Sequence, residues 1–145
     1  LRYFNVFGPR QNPKSQYAAA VPIFIERAIK NEPLTIFGDG EQTRDFVFVK
    51  DVVAANVFFA LQSGATGIFN VACGERITIS ELAKTICRLT GSRSRIDFVT
   101  ERPGDVKHSL AAINKLRDAD FVLKNNFPDG LKQTIQFYRE RITQD

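Results

Sequence analysis

Methionine is missing from all 145 positions, and the chain opens on Leu1 inside the segment Leu1-Arg2-Tyr3-Phe4-Asn5-Val6-Phe7-Gly8. Translation starts at Met, and a bulky second residue normally prevents its removal. The pattern therefore predicts the downstream piece of a longer protein. Histidine occurs once, at His108, which argues against His-based metal or triad chemistry within this chain. Two cysteines, Cys73 and Cys87, are too few for a disulfide framework and lack the C-x-x-C spacing of a metal knuckle. No apolar run approaches the roughly eighteen residues of a membrane span, and no charged-then-apolar signal opens the chain. Membrane insertion and signal-directed secretion are excluded on that reading, and a cytoplasmic location is expected. The net charge of +4 is spread through the chain and interleaved with acids, so a nucleic-acid partner is not expected.

The apolar content is ordinary, at 43%, and includes thirteen Phe, which excludes disorder and suffices for one domain with a core. Residues 1–7 read as a buried strand ended by the Gly8-Pro9 turn, and 9–16 as a loop. Val21, Phe24, Ile25, Ala28 and Ile29 recur at the spacing of one helix face, with Pro22 suited to a first turn. Leu34–Phe37 and Phe46–Val49 read as strands. Asp51 is expected to cap a helix that is apolar nearly all round and therefore buried between layers. Gly64–Gly67 turn the chain into a strand over 68–72. Thr78-Ile79-Ser80-Glu81 reads as a capping box for a helix to about Leu89, followed by a strand over 96–99. Helical stretches near 111–118 and 129–142 flank a turn at 125–128. Alternating strands and helices predict an α/β fold with parallel pairing, half of a doubly wound sheet plus a small accessory lobe.

A dinucleotide fingerprint requires glycines where a strand turns into a helix. Gly38-Asp39-Gly40-Glu41-Gln42-Thr43 offers Thr43 where the third glycine belongs, and Gly64 to Asn70 fails likewise. No Gly-Lys-Ser/Thr phosphate loop occurs. Tyr3, Tyr17 and Tyr138 are followed four residues later by Phe7, Val21 and Ile142, so no Tyr/Lys proton-transfer pair is present at that spacing. No redox or acid–base centre is recognisable in the chain, and no metal site is expected. Anion-binding candidates remain. Arg44 stands between a glycine turn and a strand, where it could reach a ligand or form a local ion pair with Asp45. Arg102 and Asp105 sit in the turn Arg102-Pro103-Gly104-Asp105, able to grip a phosphate and accept a hydroxyl proton, or simply to be solvated. His108, Cys73 and Cys87 read as structural. The aromatic residues Phe46, Phe48, Phe58, Phe59 and Phe69 read as core packing.

Five blocks, Leu1 to Arg10, Tyr17 to Pro22, Leu34 to Phe46, Phe69 to Ala72 and Arg102 to Asp105, together resemble the extended short-chain dehydrogenase/reductase family. Within it the chain is most similar to the nucleotide-sugar 4-epimerases acting on UDP-hexoses. The resemblance implies that residues 1–145 are the C-terminal, substrate-binding part, joined to an upstream Rossmann domain that holds NAD and supplies the catalytic Ser/Thr and Tyr-x-x-x-Lys. No catalytic residue is then expected in this chain, which alone would be inactive. The backbone near Tyr3 would lie beside the nicotinamide, and Asn5 would bond the sugar diphosphate. Val21 and Phe37 would line a uracil pocket, Arg44 and Arg102 would neutralise the diphosphate, and Asp105 would hold the ribose hydroxyls. Small residues at Ala19 and Ser109, where glucose-restricted relatives carry Asn and Tyr, imply room for N-acetylhexosamines. Oxidation at sugar C4 would give a 4-keto sugar that turns over and is reduced on its other face. A homodimer is the usual family assembly. A 4,6-dehydratase or decarboxylase of the same family, or a binding module without catalysis, are the rival readings.

Overall fold

A computed structural model describes residues 1–14, 19–61 and 64–142. Tyr17 and Ala18 of the second resembling block, and the end of the 9–16 loop, lie outside the described residues. The described residues form eight short strands and five helices, interspersed along the chain. They run β1 (Arg2–Tyr3), β2 (Val6–Phe7), α1 (Ala20–Ile29), β3 (Leu34–Phe37), β4 (Thr43–Arg44), β5 (Val47–Phe48), α2 (Val49–Leu61), β6 (Asn70–Val71), β7 (Ile77–Thr78), α3 (Ile79–Thr90), β8 (Ile96–Val99), α4 (Asn114–Asp118) and α5 (Phe127–Ile142). The architecture is α/β. Three of the four strand pairs, β1 with β6, β2 with β5 and β3 with β8, are parallel as the alternation implies, and β4 with β7 is antiparallel.

The first strand differs from expectation. It breaks at Asn5, which adopts φ 31, a region Asn tolerates better than most residues. Asn5 Nδ2 donates to the Asp45 carbonyl at 3.1 Å, fixing the kink. Leu1, Arg2 and Tyr3 are exposed, whereas Phe7 is buried. The kink thus separates an exposed β1 from an interior β2. Phe46–Val49 shortens to β5 because α2 begins at Val49.

The pair β2–β5 joins two apolar clusters. Side chains alternate across a strand, so Phe7 and Phe48 face one way while Val6 and Val47 face the other. On the first side, α1, α3 and α5 close over β3 and an aromatic group in which Phe7 lies 5.5 Å from Phe48 and 5.3 Å from Phe127. Gly130 lets α5 approach that group, since a Cβ there would meet Phe48 Cδ2 at 2.8 Å. On the second side, Val52 and Ala55 of α2 pack with Val71, Ile113, Leu116 and Phe121.

Helix α2 is not enclosed between layers. Val53, Val57 and Leu61, one helix face at i, i+4 and i+8, are 58%, 54% and 81% exposed. Nor does Asp51 cap it. The residue sits in the first turn, 1% exposed, and its carboxylate accepts from Lys124 N at 2.9 Å and Asn125 N at 3.2 Å, tying α2 to the approach of α5. The capping box at α3 is present: Thr78 Oγ1 accepts from Glu81 N at 3.0 Å, and Gly91 ends the helix left-handed at φ 69. At α5, Asn126 Oδ1 accepts from Asp129 N at 2.9 Å, and the Asp129 carboxylate is held below its ordinary range chiefly by the Asn126 amide.

Candidate functional site

A cavity of about 390 Å³ opens where α1, β3, the loop after Phe37, β4 and the 102–105 turn converge. Its shape starts from the glycine loop. Asp39 Oδ1 accepts from Glu41 N at 2.9 Å and Oδ2 from Lys107 Nζ at 3.3 Å, and these bonds pull the carboxyl below its usual range. Gly40 turns at φ 79 with its carbonyl accepting from Ser80 N at 3.0 Å. Gln42 folds back so that Nε2 donates to the Phe37 carbonyl at 2.6 Å. The chain is thereby returned to β4 with Arg44 facing the cavity.

Arg44 is the most constrained of the predicted cations. Nη2 lies 2.5 Å from Asp105 Oδ1, and Nη1 donates to the carbonyls of Val106 at 2.6 Å and Thr43 at 2.9 Å. A local pair with Asp45 is therefore ruled out. The Asp45 carboxylate is 0% exposed and turned inward, where Oδ1 accepts from Cys73 N at 2.9 Å and Oδ2 from Gly74 N at 3.0 Å and Ala111 N at 3.3 Å. Arg102 is exposed on its turn, yet it is not merely solvated: its guanidinium carbon lies 3.8 Å from the centroid of the Phe37 ring. A cation over an aromatic face at a wet site is worth about 0.5–1 kcal/mol, against about 1.5–3 for a charge-assisted hydrogen bond. An anion entering the cavity would thus draw Arg102 off the ring.

Six residues singled out from the sequence line this one cavity: Asn5, Ala19, Phe37, Arg44, Arg102 and Asp105. Three do not. Val21, expected beside them, is 0% exposed in the core because its face of α1 turns inward against α3 and α5. Tyr3 is 49% exposed on β1, its hydroxyl donating to Asn56 Oδ1 at 2.9 Å. Ser109 is half-buried and donates its backbone N–H to the Thr43 carbonyl at 3.0 Å, which ties it to β4 rather than to the cavity wall.

The wall also contains residues that no motif signalled. Arg27 reaches Thr35 Oγ1 at 3.0 Å and the Pro33 carbonyl at 3.2 Å, linking α1 to β3. Its signal was available: it follows Ile23 by four residues, and both line the cavity. Gln42 Oε1 is buried without a hydrogen-bond partner among the described residues. Three guanidinium groups against one carboxylate, an aromatic ring and an apolar floor suit a ligand with a flat ring and a multiply charged anion.

The remaining candidates are structural. His108 Nδ1 lies 3.1 Å from Thr43 Oγ1. Burial pushes the Cys73 thiol up to about 12, with nearby Asp45 adding to it, and burial also raises Cys87. Neither thiol is a nucleophile near neutral pH. No helix among the described residues is long and apolar enough to cross a membrane.

Residues 1–72 match the model of the NAD dependent epimerase/dehydratase family. This chain belongs to that family. It is 35% identical over 139 residues to the putative UDP-glucose 4-epimerase of Methanocaldococcus jannaschii, an alignment covering 96% of the chain and 45% of that protein. The crystal structure of the Thermotoga maritima UDP-glucose 4-epimerase with UDP-glucose superimposes at a TM-score of 0.92 and 37% identity, over 97% of this chain and 45% of that one. The UDP-N-acetylglucosamine 4-epimerase of Methanobrevibacter ruminantium, in complex with UDP-N-acetylmuramic acid, gives 0.91 and 42% over the same shares. The chain spans about half the length of the relatives it matches, and its fold is that of Rossmann-type epimerases of the extended short-chain dehydrogenase/reductase type.

Proposed function

We propose that residues 1–145 form the UDP-sugar-binding part of an NAD-dependent nucleotide-sugar 4-epimerase. The observation that carries the reading is the convergence of Asn5, Phe37, Arg44, Arg102 and Asp105, drawn from separate loops and strands, on one cationic cavity. Phe37 would offer its ring to the uracil while Arg44 and Arg102 hold the diphosphate from two sides. Asp105 would exchange part of its bond to Arg44 for the ribose hydroxyls. Binding energy would then rest on the nucleotide, which does not react, leaving the hexose free to present either face. Ala19, small at the cavity wall, supports acceptance of UDP-GlcNAc and UDP-GalNAc alongside the glucose and galactose nucleotides. The same role for Ser109 rests on resemblance alone.

NAD would supply hydride removal and return at sugar C4. Among the described residues there is no glycine-rich strand-to-helix turn to cradle its pyrophosphate, so this chain's contribution would be the exposed backbone around Tyr3. The uncovered apolar side of α2 supports packing against an NAD-binding domain that carries the catalytic Tyr and Lys. On this reading the chain alone is inactive, and the complete protein is a cytoplasmic homodimer. The family's dehydratases are the second reading, because the residues that distinguish the two reactions would flank the Tyr.

The test is UDP-sugar binding and C4 epimerisation by the complete protein and its Arg102→Ala variant. Loss of one desolvated phosphate contact should weaken binding of UDP by about 2 kcal/mol, roughly thirtyfold. Unchanged affinity would remove Arg102 from the site, and 4-keto-6-deoxy product would favour the dehydratase.

A further inference from the structure

On the far side of α1 lies a second depression of about 590 Å³, larger than the first and sharing no residue with it. Its walls carry Arg10, Lys14, Lys30 and Arg141 against a single carboxylate, Glu26. Lys30 is committed to Glu26 at 2.7 Å. The side-chain cations of Arg10, Lys14 and Arg141 have no ion-pair or hydrogen-bond partner among the described residues. Attraction to the carbonyls at the end of α5 accounts for Arg141. It does not account for Arg10, Lys14 and Lys30, which arrive from two other elements.

The walls are also fixed to one another. The Tyr138 hydroxyl, buried on α5, donates to the Gln11 carbonyl, and Asn12 Oδ1 accepts from Lys14 N at 2.9 Å. Arg10 and Arg141 stand on either side of that tie, one residue before Gln11 and three after Tyr138. Holding like charges together in a preformed cleft is unfavourable unless an anion offsets it, and preformed walls lower the entropic cost of binding one. The helix that separates the sites divides its faces accordingly: Ile23 and Arg27 line the first cavity, Glu26 and Lys30 the second.

We propose that this cleft is a second anion site, taking a small phosphate compound of two or three negative charges, separate from the proposed UDP-sugar cavity. Three cations without an ion-pair partner among the described residues match such an ion in number, and a volume of several hundred Å³ is that of a small-molecule site. The complete protein would be titrated with pyrophosphate at about 0.15 M salt while amide and side-chain resonances are followed by NMR. Saturable shifts at Glu26, Lys30 and Tyr138 are expected. Affinity should fall about tenfold or more in Lys14→Gln/Arg141→Gln, and hold in Arg102→Ala. The single Lys14→Gln variant, on an exposed loop residue, should show part of the loss if the double variant folds poorly. A parallel titration with ADP separates a free diphosphate from one carried by a nucleoside, and saturable shifts at Glu26, Lys30 and Tyr138 with either support the site. Shifts confined to Thr35 and Phe37 and abolished by Arg102→Ala would assign the anion to the first cavity. Non-saturating shifts matched by chloride at equal ionic strength would reduce the cleft to a solvated basic surface. Either result overturns the proposal.

Discussion

Asp45→Asn tests the framework beneath the candidate site while leaving its shape almost unchanged. The wild-type carboxylate is fully buried and accepts three backbone N–H groups, from Cys73, Gly74 and Ala111 at 2.9, 3.0 and 3.3 Å. An amide has one oxygen. If that oxygen faces Gly74 and Ala111, its NH2 confronts the Cys73 N–H, and the reverse orientation sets a donor against two donors. The milder choice forfeits one charge-assisted bond and leaves a buried N–H unpaired, together about 3 kcal/mol. For a chain of this length that is a fall in melting temperature of roughly 10 °C. Thermal and urea unfolding followed by circular dichroism, with hydrogen exchange at the three amides, measures it. Exchange should accelerate at Cys73, Gly74 and Ala111 more than in α3. Because the Asp45 carbonyl also positions Asn5 and the residue adjoins Arg44, anion affinity should weaken even where the variant remains folded. A melting temperature within about 2 °C of wild type, with protection unchanged, would refute the claim that this carboxylate holds the loops together.

Gly40→Ala should destabilise by about 2 kcal/mol or more, since a Cβ there meets Ser80 Oγ at 2.1 Å on a backbone at φ 79; a neutral result in urea denaturation would show that the turn can relax. Alkaline stability should depend on Cys73. Its thiol stays protonated to about 12 in the folded chain but ionises near 9 when unfolded, so stability is complete below pH 9 and declines as pH rises toward 12. Cys73→Ala should flatten that decline in urea midpoints taken between about pH 8 and pH 11. An identical slope would show that another group dominates, with Tyr138, also raised by burial, the next to test.

Local chemistry explains which elements could be read in advance. The start of α3 is written in four residues, because Thr78 and the N–H of Glu81 satisfy each other without help from the rest of the fold. Val21 to Ile29 carry a helical period that only one buried face satisfies. Asp51 misled for the opposite reason. An acidic residue before an apolar run fits a cap, but its carboxylate answers to Lys124 and Asn125, more than seventy positions away, and no local pattern encodes that distance. The kink at Asn5 depends likewise on a carbonyl forty residues on. Within residues 1–145 one face of α2 stays open, because composition counts apolar residues without saying what stands opposite them.

The candidate site divides along the same line. Arg44 opens onto the cavity from the short strand after the Gly38–Gly40 turn, and Arg102 sits in the turn with Gly104, so their presentation was legible, although the ligand class rested on resemblance rather than on spacing. Their partners were not legible. Arg44 has adjacent to it an acid that looks like a natural mate, yet Asp45 is drawn inward by three amides that would otherwise be buried unpaired, at a cost of about 1–3 kcal/mol each. A pair with an adjacent, partly exposed Arg is worth less than one of those bonds. Asp45 therefore serves the interior, and Arg44 turns to Asp105 sixty-one residues away. That choice gives the cavity its polarity: the acid facing the ligand space is the one on the 102–105 turn, bound to an arginine that an incoming anion would have to share.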